Sequence, residues 1–380
     1  MEFLISIKKI DKVMKIINLV TANAGSNLIA SCVSIEVVNN MIYFQAQSNI
    51  NSVKVEVTDE IECTTEGKVL VNAKLLTNLI SRLNEPNILF KLIDNQILFI
   101  KTKKFETNIN VIDFDRMPIS SFNVMTNNEV DISYEMLNKI INQVVPNCLT
   151  TSLTEKLQVI SGVLIDSTRE KDKVFLVATD RWKASSVVYP YSGKDCKIIL
   201  LSQNIKLIND LLKIFPKENL PIKFYMQNND LFCCYDNIVF ILKTIKGEFP
   251  DAISIFNDTE TYTDVKINRR FLFDALERGK VYVEQENKPK MVVEIKNNIA
   301  TLSFDTMEVG SLTETVELEN TIFCDSIKFI INPNFLSHCI KLFTNDILTF
   351  RIQNGKNRPI KIFDEKDSTF QQIISLIAGE

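Results

Sequence analysis

"KVLVNAKLLTNLISRL", residues 68–83, reads as a short β-type run, an Asn placed to cap, and then an amphipathic helix. The same grammar recurs in "IILLSQNIKLINDLLKIF" (198–215) and "KFIINPNFLSHCIKLF" (328–343). The expected caps, Asn72, Ser202 and Asn332, are evenly spaced along the chain. Even spacing on this scale is the mark of a tandem repeat.

The flanking sequence keeps the same register. Downstream of each helix lie alternating apolar runs around tight-turn dipeptides: Asp94-Asn95, Asn228-Asn229 and Asn354-Gly355. The first two repeats then close on Met117-Pro118 and Phe249-Pro250. Upstream, "ISIKKIDKVMKIINLVTAN" (5–23), "ISYEMLNKIINQVVPN" (132–147) and "INRRFLFDALERGKVYV" (267–283) predict helices, each leading into β-rich chain. Each third therefore reads as strand, helix and strands, twice over. The expected fold is α+β, with three tandem domains at 1–126, 127–256 and 257–380. Each is a two-layer sandwich of two similar halves, with its helices on one side.

Composition sets outer bounds. The 380 residues suit two or three domains, and 46% hydrophobic with 24% charged residues is the mix of a soluble globular chain. The N-terminal "MEFLISIKKIDK" has charges too early for a signal peptide, and no apolar run is long enough to cross a membrane. Eight cysteines without a CxxC pair point to reduced thiols and a cytoplasmic protein.

Net charge is −4, yet the charge is unevenly placed. All the predicted helices except the one over 133–148 carry more Lys and Arg than Asp and Glu. The cations are Lys8, Lys12, Lys15, Lys74, Lys206, Lys213, Lys217, Arg269, Arg270 and Lys341, among others. Positive helices in an acidic chain fit sequence-independent contact with phosphates. Few aromatics interleave with them, so base stacking is not implied.

Most catalytic designs are excluded. The single histidine, His338, rules out a His/Cys zinc site and an HExxH helix, and its helical spacing reads as a solvated or half-buried helix residue. With nine glycines and no phosphate-loop or dinucleotide fingerprint, a backbone phosphate cradle is not expected. No cofactor or metal is expected. The stretch "FLVATDRWKASS" (175–186) remains, with Asp180 between an apolar run and the only tryptophan. An enzyme built on carboxylates would centre on Asp180. A carboxylate at a turn is more often a capping group.

Here the residues resemble a known family, the β subunit of bacterial DNA polymerase III, or sliding clamp. Val177-Ala178-Thr179-Asp180-Arg181-Trp182-Lys183-Ala184-Ser185 is similar to the family's V-A-T-D-G-H-R-L-A. "KGEFPDAISIF" (246–256) resembles D-G-x-F-P-D-Y, "ISGVLID" (160–166) resembles a family strand, and "FQQIISLIAGE" resembles the family ending. The likeness spans the whole chain in register with the repeat.

The resemblance implies three DNA-clamp domains forming a half ring. A head-to-tail homodimer would close the ring around double-stranded DNA and catalyse nothing. It also implies partners: the replicative polymerase, the clamp loader and other proteins whose short peptides, of a glutamine–leucine–phenylalanine type, bind one pocket. Carried over, Thr179, Arg181, Trp182, Lys183 and Ala184 line that pocket, with Ile160, Pro250, Ile255, Leu376 and Ile377. At the ring seam it implies that "KKFETNI" (103–109) pairs as a strand beside "GKVYVEQ" (279–285), with Phe105, Val281 and Tyr282 as apolar contacts. Arg181-Trp182-Lys183 depart from the family's Gly-His-Arg, Leu376 and Ala378 from its Pro and Arg, and Ser26-Asn27 lie where it has an arginine. A clamp-like scaffold that binds proteins without encircling DNA is the alternative, and an enzyme centred on Asp180 a further one.

Overall fold

Asn72 does what its position predicts: its side chain accepts the Leu75 N–H, and the helix starts at Ala73. The structure, a computed structural model, describes residues 1–22, 27–118, 120–150, 155–215, 222–256, 262–319, 326–353 and 358–378. Lys217, Cys324, Ser26 and the Asn354-Gly355 turn lie outside these residues.

The first third runs β1 (Glu2–Ser6), α1 (Ile7–Thr21), β2 (Cys32–Val38), β3 (Met41–Gln47), β4 (Asn51–Val57), β5 (Ile61–Thr65), β6 (Gly67–Asn72), α2 (Ala73–Ile80), β7 (Asn87–Ile93), β8 (Ile97–Lys101) and β9 (Glu106–Asn110). The middle third follows with β10 (Glu129–Val130), α3 (Tyr134–Lys139), β11 (Gly162–Asp166), β12 (Lys173–Thr179), β13 (Lys183–Pro190), β14 (Lys197–Leu201), α4 (Ser202–Ile214), β15 (Lys223–Gln227), β16 (Asp230–Tyr235), β17 (Ile238–Lys243) and a short α5 (Ala252–Phe256). The last third holds β18 (Thr263–Asn268), α6 (Arg269–Val283), β19 (Met291–Lys296), β20 (Ile299–Thr306), β21 (Gly310–Glu319), β22 (Ile327–Ile331), α7 (Pro333–Lys341), β23 (Ile347–Ile352), β24 (Ile360–Asp364) and β25 (Asp367–Ile374). The strand–helix–strands order repeats as the sequence predicts.

The chain packs as two units, residues 1–134 with 203–244, and residues 135–202 with 245–380. The first unit holds a five-stranded sheet, β5-β1-β7-β8-β9, and an eight-stranded sheet, β10-β15-β16-β17-β4-β3-β2-β6. The second holds one twelve-stranded order, β14-β11-β12-β13-β25-β24-β23-β18-β21-β20-β19-β22. Each unit thus contains one junction between thirds. β17 pairs antiparallel with β4, Phe240 opposite Val53, and β25 pairs antiparallel with β13, Phe370 opposite Val187.

Local chemistry explains the elements. In α1, Ile7, Ile10, Val13, Met14, Ile17 and Val20 recur at helical spacing and are buried. Asp94-Asn95 and Asn228-Asn229 all have positive φ, as do Asn39-Asn40 and Asn297-Asn298. Two successive left-handed residues match the twist of a tight hairpin, and Asn tolerates that conformation.

Three expectations are corrected. Ser202 is the first residue of α4 rather than its cap. The helix expected over 133–148 is α-helical only to Lys139 and then becomes a π-turn over Ile140–Val144 and a 3-10 turn over Val145–Asn147. Pro146 has no N–H to continue the ladder. The segment 279–285, expected beside the seam strand 103–109, offers no strand edge there, because the helix predicted over 267–283 forms as α6 and runs to Val283. Its β-branched residues are overridden by the period Leu272, Ala275, Leu276, Gly279, Val283, all buried. Gly279 lets the helix lie on the sheet: a Cβ there would come within 2.0 Å of the Phe304 ring.

Candidate docking turn and nucleic-acid face

The stretch 179–184 is the turn between β12 and β13. Asp180 Oδ1 accepts the Trp182 N–H at 2.9 Å and the Lys183 N–H at 2.7 Å. Its Oδ2 lies 2.9 Å from the Lys183 ammonium, whose side chain is only 8% exposed. Thr179 Oγ1 donates to the Lys183 carbonyl at 2.8 Å and accepts the Arg181 N–H at 3.1 Å. Asp180 is thus spent on holding the turn, the capping role that carboxylates usually play there. Arg181 sits at φ 81°, in the left-handed region where the family motif has Gly.

The turn docks within its own unit. Ser375 N donates to the Trp182 carbonyl at 2.9 Å, tying the turn to the chain after β25. The Trp182 ring is 53% exposed and stacks on Phe335 of α7, with centroids 6.4 Å apart. The Lys183 ammonium lies 5.5 Å from the Phe335 ring centroid. Nearby, His338 Nε2 is 3.1 Å from the Pro146 carbonyl. Burial, with help from the Lys183 charge, lowers its pKa below the ordinary imidazole value.

The other expected pocket residues divide. Ile160 and Ala184 are buried, and Ala184 packs with Ala252, Ile253 and Phe256 of α5 and with Ile373. Pro250 and Ile255 stand outside that cluster and are exposed, whereas Leu376 and Ile377 are half-buried. Ile377 N donates to the Ile330 carbonyl at 2.9 Å. Lys183 is not free to meet an acidic group in solvent, because Asp180 already holds it. Of the two cations beside Trp182, only Arg181 is exposed. Phe335 escaped the sequence reading. It occupies the same step after its cap, Asn332, as Leu75 after Asn72, and that spacing was the available signal.

The basic residues of the helices stand in four states. Lys8, Lys74 and Lys206 are exposed and form no ion pair among the described residues. Lys15 is paired with Asp11 at 2.7 Å, Lys213 with Asp210 at 2.7 Å and Arg270 with Asp346 at 2.9 Å. Lys12 sits over the Phe215 ring at 4.2 Å, and Lys341 over Phe273 at 4.8 Å and 4.0 Å from Glu277. Arg269 is half-buried and donates from Nε to the Asn345 carbonyl at 2.9 Å. Exposed one-to-one pairs of this kind are weak and are easily exchanged for a phosphate.

At the expected seam, β9 is the outer strand of its sheet and Phe105 precedes it, half-buried. Val281 is 67% exposed and Tyr282 half-buried, both in the last turn of α6, a helix that packs on β20 and β21.

Repeated helix-plus-strands halves are joined through shared sheets within each unit and carry exposed turns and basic helix faces. The sequence profile for the DNA polymerase III beta subunit, N-terminal domain, matches residues 1–122, and that for its C-terminal domain matches residues 258–377. The beta sliding clamp of Mycoplasma genitalium is 25% identical over 388 residues, covering 98% of this chain and 99% of its own length. That of Streptococcus pneumoniae is 21% identical over 378 residues, covering 98% and 93%. Among solved structures, the beta subunit from the DNA polymerase of Streptococcus pyogenes superposes with a TM-score of 0.87 at 20% identity, and the DNA polymerase sliding clamp of Bacillus subtilis with 0.87 at 15%, each over 100% of both chains. The chain belongs to the bacterial β sliding clamp family, the β subunit of DNA polymerase III.

Proposed function

We propose that two copies of this chain join head to tail into a ring that encircles duplex DNA and tethers replication and repair proteins by short peptides. The observation that carries this reading is the junction rule. Within each unit, the last strand of one third pairs with the strand after the corresponding turn of the preceding third: β17 with β4, and β25 with β13. Applied once more, the rule calls for β9 to pair with β21. Among the described residues, β9 has no partner on its outer edge, and β21 meets β18 only at Leu318 and Glu319. Open edges of this kind are a hazard that a second copy would remove at both ends.

The exposed apolar residues agree. Trp182, at the tip of the middle turn, rests on Phe335. The corresponding turn of the last third exposes Met307 and Val309, and the counterpart of Phe335 is Leu75, 45% exposed on α2. In the ring, Met307 and Val309 of one copy would cover Leu75 of the next, with Phe105, Val281 and Tyr282 beside them. The thirds 1–126, 127–256 and 257–380 act as its repeated domains.

In this reading Lys8, Lys12, Lys15, Lys74, Lys206, Lys213, Arg269, Arg270 and Lys341 offer charge to phosphates without reading sequence. Trp182, Phe335 and the exposed side of α5 receive the partner peptide. No chemistry is required of Asp180, and the place of work is the cytoplasm.

The test is sedimentation together with retention on DNA. A dimer of the 43.5 kDa chain is expected. Once loaded, it should stay on closed circular duplex and be lost when the circle is cut. Phe105→Asp combined with Tyr282→Asp should give monomers. A wild-type monomer sinks the ring, and an unchanged dimer in the double variant sinks this placement of the seam.

A further inference from the structure

Helix α5 is five residues long, a single turn with too few internal hydrogen bonds to hold itself. Its inner face, Ala252, Ile253 and Phe256, packs in the cluster that contains Ala184 of β13, and its outer face presents Ile255. Both ends are tied by cations from elsewhere in the same unit. At the start, Arg169 donates from one guanidinium nitrogen to Asp251 at 3.1 Å and from Nε to Asp166 at 3.1 Å. Asp166 is fully buried at the end of β11 and also accepts the Thr168 N–H at 3.0 Å and its hydroxyl at 2.7 Å, so Arg169 is anchored on a fixed post. At the other end, Lys361 of β24 donates to the Phe256 carbonyl at 2.7 Å, a cation on the last carbonyl of the helix.

We propose that Arg169 and Lys361 are positioning residues for the peptide site, holding α5 from its two ends so that Pro250 and Ile255 form a ready-made wall. This rests on the reading of 179–184 and α5 as the peptide-receiving surface. Neither cation has to touch the peptide. Their effect runs through the order of α5, because a wall already in place spares the peptide the cost of ordering it.

Two variants isolate the ends. Asp251→Ala leaves the buried Asp166–Arg169 pair intact and removes the acceptor that ties it to α5. Lys361→Met removes the carbonyl contact and keeps the aliphatic stem. The probe is a glutamine–leucine–phenylalanine peptide, titrated against the full chain, with amide hydrogen exchange across 250–256 and thermal melting in parallel. Each variant should weaken peptide binding several-fold and speed exchange in α5 while the melting temperature stays near wild type, and Lys361→Arg should restore both affinity and protection. Wild-type affinity in variants whose α5 exchanges faster would overturn the proposal. So would a loss of affinity that merely follows a falling melting temperature and is not rescued by Lys361→Arg. If the wild-type chain binds no such peptide, the site reading itself fails and takes the proposal with it.

Discussion

At the turn between β3 and β4, Ser48 Oγ accepts the N–H groups of Ile50 and Asn51 at 3.3 and 3.2 Å. Between β12 and β13, Asp180 Oδ1 accepts those of Trp182 and Lys183. Ser48 N donates to the Asn51 carbonyl at 2.8 Å, and Asp180 N to the Lys183 carbonyl at 3.1 Å. Lys243 N donates to the Ile50 carbonyl at 3.0 Å, as Ser375 N does to that of Trp182. The backbone design is the same in the two repeats, and the side chains finish it differently. Asn51 is 1% exposed and donates to Asn204 of α4 at 3.0 Å, while Asn204 donates to the carbonyls of Ile50 and Lys243 at 3.3 and 3.2 Å. The first turn is thereby locked into its neighbours as a joint. The second leaves Trp182 and Arg181 in solvent, where unused apolar and hydrogen-bonding capacity is available to a partner.

Asn204→Ala tests the lock where the effect should be largest. It strands the Asn51 side-chain N–H in a buried place and takes a donor from the Lys243 carbonyl and one of two from the Ile50 carbonyl, and each lost partner carries a desolvation cost. Stability should fall by about 3 kcal/mol, measured by chemical denaturation. A loss below about 1 kcal/mol would mean that water replaces the amide and that the joint is not dry.

Asp180→Ala probes the corresponding hold on the second turn. Two backbone N–H groups lose their acceptor, and the 8%-exposed Lys183 ammonium loses its counter-charge. About 2.5 kcal/mol of destabilisation is expected, with Asp180→Asn recovering part of it, since the amide oxygen can still accept. Full stability in Asp180→Ala would detach the carboxylate from the turn and restore interest in it as a reactive group.

The repeat was legible because helix caps and Asn-rich turns are local. Asn72 and Asn332, Asp94-Asn95 and Asn228-Asn229 carry their own backbone instructions. The end of α6 was legible although Val281, Tyr282 and Val283 favour strands, because the apolar period runs on to Val283; its seat against Phe304 was not, since that contact is remote in sequence. The turn at 179–184 was singled out by resemblance, but Phe335 and the two ties on α5 come from segments far along the chain. Lys361 gives no hint, inside an alternating strand, that it reaches the Phe256 carbonyl.

The smallest effect separates the tip from the turn that carries it. Trp182 is half exposed, and its ring neighbour Phe335 lies at 6.4 Å. An aromatic pair of that kind is worth about 1 kcal/mol beyond area burial, so Trp182→Ala should cost the fold little. A buried anchor in a bound peptide's pocket is worth about 2 kcal/mol, and the same variant should weaken a glutamine–leucine–phenylalanine peptide by that amount. Peptide titration beside thermal melting distinguishes the two. Weakened binding with a near-normal melt makes Trp182 part of the receiving surface, and Phe335→Ala should then reproduce the loss, because the indole would have nothing to rest on. An unchanged affinity with a lowered melt makes the pair mere packing. The two turns would then differ only in how each is plugged, one by an amide pair and the other by an aromatic pair.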